Sequence, residues 1–392
     1  MPASPDVFHR TAYANEMAGQ LLNPTALQMN VRSGVFLSGI RRVGKTTFLR
    51  QDLWPALEER GAVVIYVDLW ADRSKSPAAQ VEEAVRDTFR QLQSPGSELL
   101  RRFKGGSVSA AGVSFGFQLD SISTGGGTTF AQAFAALIEK AKVDVVLIID
   151  EVQQAVLSDE GFNLLHALKA ARDAVNAKPD TPGHFLLLGT GSHKSLLTDM
   201  ATRRAQPFSG ALATAYQVLG RDFVEWQLKR IAAGAGVVLP DLDVAWEGFQ
   251  VMGHRPEELL KALVQLQTSR SPANQAFIII SATLAAAAAD VELRAIEEFG
   301  ELGEAIFSRI AAGPESGVSG LFSAEALAAY SRATASTVET NQVQNLLEKM
   351  VGANLISRPR HGTYAVADPF VRKVWQDRAN FAFITASENP LT

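Results

Sequence analysis

Four short apolar runs constrain the fold more than any other feature: GVFLSG (34–39), AVVIYVD (62–68), DVVLIID (144–150) and HFLLLG (184–189). Each is of strand length and apolar at consecutive rather than alternate positions, the pattern of a strand covered on both faces. Stretches with helical spacing lie between them, at 46–60, 77–93, 130–141 and 161–176. Strands alternating with helices predict an α/β fold with a parallel sheet, and AYQVLG (215–220) offers a fifth, weaker strand. One segment breaks the rhythm. The Gly- and Ser-rich stretch 105–127 carries Val113, Phe115, Phe117 and Leu119 at alternate positions, which predicts a hairpin inserted before the third strand.

After about residue 233 the texture changes to helices, predicted at 256–268, 273–287 and 290–311. Two more follow in AEALAAYSR and STVETNQVQNLLEKMVGANLI, the second ending near Gly352, and then LISRPRHGTYAVAD supplies two short strands around a turn. Helix, helix and hairpin in this order resemble a winged helix. The expected division is a core over 1–235, a helical lid over 236–295, a winged helix over 296–385 and a tail over 386–392.

The chain of 392 residues carries 37 Lys and Arg against 41 Asp and Glu, a net charge of −4, so any affinity for nucleic acid or membrane has to be local. It contains no cysteine, which removes disulfides, thiol catalysis and Cys-based zinc sites together. MPASPDVFHRTAYANEM has neither the basic start nor the apolar core of an export signal, and no apolar run is long enough to span a bilayer. A cytoplasmic protein with no membrane partner is expected.

Chemistry enters at the end of the first run. Gly39-Ile40-Arg41-Arg42-Val43-Gly44-Lys45-Thr46 fits the spacing G-x-x-x-x-G-K-[ST], preceded by a strand and followed by a helix, with Thr47 just beyond. The glycines let the backbone turn its N–H groups toward phosphate, Lys45 reaches the β- and γ-phosphates, and the Thr46 hydroxyl suits Mg²⁺. The third run ends in Asp150 followed by Glu151. An aspartate there serves the metal, and an adjacent glutamate orients and activates the attacking water. The alternative is an acidic turn at the end of a buried strand. No Asn-Lys-x-Asp guanine-reading motif follows a strand, since NAKPD (176–180) precedes one, so ATP and ADP are favoured.

Three looser features accompany these. Thr190 and Ser192, after the fourth run, are placed to sense or position the γ-phosphate, or else to form the turn that starts a helix, with His193 beside them. Arg203 and Arg204 offer an arginine finger to a neighbouring subunit, or a solvated basic turn. In GHRPEELLKALVQL (253–266), His254 or Arg255 is placed to report the nucleotide state, or simply precedes a Pro-initiated helix.

Taken with LIIDEVQ, GTGSHKSLL before PFSG, and DPFVRKVW (368–375), the SGIRRVGKTTFL loop makes the chain resemble the AAA+-related STAND ATPases, especially the archaeal-type ATPases. That resemblance implies an ATPase core, a helical lid and a winged helix folded back over the nucleotide, with the Arg-Arg pair typical and 253–256 at the lid. The N-terminal VFHRTAYANEM keeps Phe8 and Arg10 of a Phe-Val-Gly-Arg box without its glycine.

Three functions are open. An ATP-controlled switch would close lid and winged helix on binding and reopen them on hydrolysis, read by a separate protein partner or by self-association. A DNA-engaging ATPase, resembling origin-recognition or transposition-helper proteins, would use Arg358, Arg360, Arg372, Lys373 and Arg378, although STVETNQVQNLLEKM carries one lysine against two glutamates. A nucleotide-stabilised scaffold would barely turn over.

Overall fold

The apolar runs are strands. β1 (Val35–Ser38), β2 (Val63–Asp68), β3 (Val145–Asp150), β4 (Phe185–Gly191) and β5 (Leu212–Ala215) form one parallel sheet in the order β2-β3-β4-β1-β5. The computed structural model describes residues 7–72, 74–95, 118–123, 127–204, 206–234, 236–360 and 362–387. Its two compact units are Met1–Gln217, which holds the sheet, and Val218–Thr392.

In the first unit, α1 (Thr11–Leu22) precedes β1, and the loop after β1 opens α2 (Lys45–Phe48). A π-helical turn, Leu49–Leu53, carries α2 into α3 (Trp54–Glu58) where one regular helix over 46–60 is expected. Pro55 is the cause. It has no N–H to give to the carbonyl four residues back, so the ladder widens around it. α4 (Pro77–Gln93), α5 (Phe130–Ala141), α6 (Asp159–Asn176) and α7 (Lys194–Thr202) follow. Side chains satisfy their first N–H groups: Ser76 accepts from Ala79, Thr129 from Gln132 and Ser158 from Gly161.

Burial on both faces accounts for the unbroken apolar runs. Val145, Leu147 and Ile149 of β3, with Phe185 and Leu187 of β4, join residues of α4 to α7 in one core, where Phe134 stacks on Phe185 at 4.0 Å. The alternate residues Val146, Ile148, Leu186 and Leu188 are equally buried. β5 lies at 212–215 rather than 215–220, because β1 has only four residues to pair with and Ser38 is already opposite Ala215. The expected hairpin over 105–127 falls mostly outside the described residues; Leu119 is described, in a 3₁₀ turn Leu119–Ser121.

The second unit contains α8 (Arg221–Ala232), α9 (Leu242–Val251), α10 (Pro256–Leu266), α11 (Ala273–Glu297), α12 (Gly300–Ala312), α13 (Ala324–Ala333), α14 (Thr340–Gly352), the antiparallel pair β6 (Ile356–Arg360) and β7 (Thr363–Val366), and α15 (Pro369–Ser387). Val318 bridges Tyr364, and Phe307, Tyr330, Leu347 and Ile356 share a core. The helices expected at 273–287 and 290–311 divide elsewhere. No Gly or Pro interrupts 273–297, the alanine tract favours helix, and the break comes at Gly300, whose φ is +68°.

That continuity also corrects the expectation that no apolar segment is long enough to span a bilayer. α11 has 25 residues, and an 18-residue window within it has a mean hydropathy of 1.8, enough by length and composition to cross a membrane. Of that window 38% is buried, and the helix packs on α9, α10, α12 and α15.

Candidate nucleotide site

Parallel strands bring their carboxyl ends to one edge of a sheet, where ligand sites of such folds form. Here β1 runs into the glycine-bracketed loop, β2 ends in Asp68, β3 in Asp150 and β4 in Gly191. Because β4 lies between β1 and β3, the residues at its end stand between the loop and the acidic pair.

The loop is fixed at its start, where the Gly39 N–H donates to Gly191 O at 3.1 Å. A Cβ at Gly39 would stand 3.0 Å from Tyr216 Cβ and 3.3 Å from Lys45 Cδ, so a side chain there would press its neighbours aside by a few tenths of an ångström. Gly44 is left-handed, φ +87°, a conformation glycine adopts without Cβ strain. Arg42 shares it at +66° with its side chain exposed, between Arg41, also exposed, and the buried Val43. Lys45 is 6% exposed and donates to Gly39 O at 2.7 Å and Ile40 O at 2.8 Å, two of the three bonds an ammonium makes. Burial pushes that ammonium below the usual lysine range, while Glu151 and Asp150 favour its charge.

Asp150 is the hub. It is 1% exposed; Oδ2 accepts from Thr46 Oγ1 at 2.6 Å and from the Tyr66 hydroxyl at 3.2 Å, and Oδ1 accepts from Thr190 Oγ1 and, at 3.1 Å, from the Glu151 N–H. Glu151 has a left-handed backbone, φ +56°, and its Oε2 accepts from Gln153 Nε2 and, at 3.2 Å, from Ser192 Oγ. Arg41 Nε donates to that same Ser192 hydroxyl at 3.4 Å, with its guanidinium 5.4 Å from the Trp70 ring centre. The structure thus brings Lys45, Thr46, Asp150, Glu151, Thr190 and Ser192 together at one end of the sheet. Thr47 is exposed beside them.

The donor set suits a hydrated Mg²⁺ bound with phosphate. Among the described residues no group of three or more His, Asp or Glu is placed to hold a metal ion. One hydroxyl and one carboxylate, Thr46 and Asp150, are what remains when phosphate oxygens and water supply the other ligands, which is how magnesium is usually held.

Four side chains join the site without having been expected there. Tyr66 donates to Asp150, and burial together with Asp150 pushes its phenol well above the ordinary range. Asp68 pairs in register with Asp150; burial raises its carboxyl, the Trp70 N–H lowers it, and Asp150 and Glu151 raise it further. The sequence signal for these two was the polar ending of an apolar strand, at spacing two. Gln153 follows the acidic pair after one residue, Val152. Tyr216 has no local signal; its hydroxyl reaches Gly44 O at 3.3 Å and receives Arg10 Nη1 at 3.0 Å.

Other expected residues have different partners. Arg203 pairs with Asp199 at 2.9 Å, and both Arg203 and Arg204 are exposed at the far end of α7, about 13 Å of helix beyond Ser192. Arg255 belongs to the second unit, 7% exposed, with Nη2 2.9 Å from Asp368 Oδ2 and its guanidinium 4.4 Å from the Phe370 ring centre. Neighbouring His254 is left-handed, and its ring nitrogen lies 3.1 Å from Leu219 O.

Comparison with known proteins agrees with this geometry. Residues 24–181 match the family described as an ATPase domain predominantly from Archaea. No curated protein sequence matches the chain. Among solved structures, a Walker-type ATPase of Pyrococcus abyssi is similar at 21% identity and TM-score 0.60, over 95% of this chain and 96% of that one. The ORC2 protein of Aeropyrum pernix, in its ADP form, is similar at 14% identity and TM-score 0.54, over 96% of each chain. The sheet order, the loop and the acidic strand end are those of an α/β P-loop ATPase fold, and over residues 24–181 the chain is similar to the ATPase-domain family found predominantly in Archaea.

Proposed function

We propose that the chain is an ATP-binding and ATP-hydrolysing switch of the STAND type, acting in the cytoplasm and read by a protein partner or a second copy of itself. The observation that carries this reading is the continuous hydrogen-bonded path from the loop through Thr46 to Asp150, and from Arg41 through Ser192 to Glu151. Binding groups and a candidate base are linked in one network, as a site that senses γ-phosphate requires.

In this reading the backbone of Gly39 to Thr47 cradles the phosphates, Lys45 neutralises the β- and γ-phosphates, and Thr190 and Ser192 position the γ-phosphate. Thr46 and Asp150 hold Mg²⁺, which when bound offsets charge on the phosphate oxygens. Glu151 takes a proton from water as the water oxygen attacks the γ-phosphorus. The bond to the β–γ bridging oxygen breaks, leaving ADP and phosphate. Arg203 or Arg204 serves as a finger in trans, supported by their exposure and by their distance along α7 from their own site. Residues 236–295 form the lid, where Arg255 reports the nucleotide state, and 296–385 a winged helix. The packing of α11 on four helices of its own unit supports a role away from membranes.

A DNA-engaging ATPase is the second reading. It is favoured by the exposed amides Asn341, Gln344 and Asn345 on α14, a side-chain type that reads adenine edges. The basic residues argue against it. Arg372 donates to Ala311 O at 3.1 Å and pairs with Glu315 at 3.3 Å, Arg378 lies 3.5 Å from Glu297, and Arg358 stacks 5.5 Å from the Tyr364 ring centre.

Phosphate release by the purified protein, with and without Mg²⁺ and duplex DNA, tests the assignment. Mg²⁺-dependent release that Lys45→Ala abolishes, with Glu151→Gln trapping unhydrolysed ATP, is the expected result. A Glu151→Gln protein that keeps full activity would remove the switch mechanism, and salt-dependent DNA retention with DNA-stimulated release would favour the second reading.

A further inference from the structure

A general base must be fixed relative to the water it activates, and a glutamate side chain has three torsions to restrain. At Glu151 the restraint comes from two donors, Ser192 Oγ and Gln153 Nε2, both on Oε2. Ser192 is shared, because Arg41 Nε reaches the same hydroxyl at 3.4 Å and Gln153 Nε2 lies 3.5 Å from it. The amide of Gln153 is the donor that comes from Glu151's own turn, two residues on.

Gln153 is 3% exposed, and its Oε1 is buried without a hydrogen-bond partner. Burying an amide with a free acceptor is unfavourable, and an apolar side chain of the same size would avoid it. The structure also makes room for that amide. A Cβ at Gly191 would stand 1.9 Å from Gln153 Oε1, so the last residue of β4 is a glycine where this glutamine lies. What this arrangement gains is the bond to Glu151.

We propose that Gln153 is a positioning residue for Glu151: its amide fixes Oε2, leaving Oε1 as the oxygen presented to the attacking water. This rests on Glu151 being the base, and the test separates the two claims. In the full chain, Gln153→Leu keeps the volume and removes the donor. Its kcat for ATP is expected to fall about 10- to 100-fold, while KM and the Kd of a fluorescent ATP analogue stay within about twofold. Nucleotide recovered with the protein on filters should shift from ADP to ATP. Adding Gln153→Leu to Glu151→Gln should change neither rate nor recovered nucleotide, because the group to be positioned is already gone. A purely structural role would instead weaken binding and add to Glu151→Gln. Should the leucine variant not fold, Gln153→Met, unbranched and of similar length, is held to the same pattern. Wild-type kcat in either variant, or additivity with Glu151→Gln, overturns the role of Gln153 alone. Full activity in Glu151→Gln overturns the base, and this role with it.

Discussion

Gly191→Ala probes the packing of the site from the side of β4. Gly191 has no left-handed backbone angle to defend, so alanine is conformationally acceptable and the cost is steric alone. Its Cβ would lie 1.9 Å from Gln153 Oε1, 2.9 Å from Gln153 Cδ and 3.2 Å from Leu197 Cδ1. Ordinary C···O contact is about 3.3 Å, so the amide must move by about 1.4 Å. Gln153 is 3% exposed and Leu197 fully buried, so the amide cannot swing into solvent without leaving Glu151. Overpacking of this kind costs about 1–3 kcal/mol. With an m-value of about 2–3 kcal/mol/M, the urea midpoint of the transition that unfolds the sheet should fall by roughly 0.3–1.5 M. Phosphate release should fall in parallel. In a Gln153→Ala background the clash with the amide is absent and only the 3.2 Å approach to Leu197 Cδ1 is left, so Gly191→Ala should then cost under about 0.5 kcal/mol. If Gly191→Ala unfolds at the wild-type midpoint with wild-type kcat, or costs as much in the Gln153→Ala background as in the wild-type chain, the packing argument is refuted.

Three further outcomes follow from other parts of the first unit. Tyr66→Phe removes one of the donors to Asp150 and should lower stability by about 0.5–1.5 kcal/mol, with a raised Mg²⁺ requirement for phosphate release; an unchanged Mg²⁺ titration would separate Tyr66 from the metal site. Phe134→Ala deletes a fully buried ring stacked on Phe185 and should cost about 3–5 kcal/mol in urea unfolding, whereas a cost below about 1 kcal/mol would contradict the packing described. The phenol of Tyr216 is pushed up to about 12 by burial, with Arg10 acting in the opposite direction. The folded state therefore keeps that proton at a pH where the unfolded chain, near 10, has lost it. Its contribution is complete below about pH 10 and disappears as pH climbs through about 12, so wild-type stability should fall more steeply there than that of Tyr216→Phe; equal slopes would refute the assignment.

Much of the site was legible because its features are local. Gly39, Gly44, Lys45 and Thr46 occupy one turn of chain between a strand and a helix, and backbone geometry allows few other uses of that spacing. Asp150 and Glu151 could be read from the end of a strand whose apolar residues leave it no other role than to be buried. Gln153 was visible in the same motif yet had no reading, because its meaning depends on Gly191 and Ser192, which arrive on a different strand. Tyr216 and Arg10 were beyond local reading altogether: they meet over a sequence separation of 206 residues.

The extended and helical segments were largely set by the sequence itself, since burial on both faces demands consecutive apolar residues and caps such as Ser76 and Thr129 fix helix starts within a few residues. The tertiary structure decided what no local pattern encodes. It put β4 between β1 and β3, so that Thr190 and Ser192 link the loop to the acidic pair, and it ended β5 where β1 ran out of partners. It also engaged Arg255 with Asp368, 113 positions away. The reason is physical: hydrogen-bond partners across a sheet and ion pairs between distant segments are chosen by which surfaces pack, and that choice is a property of the whole chain.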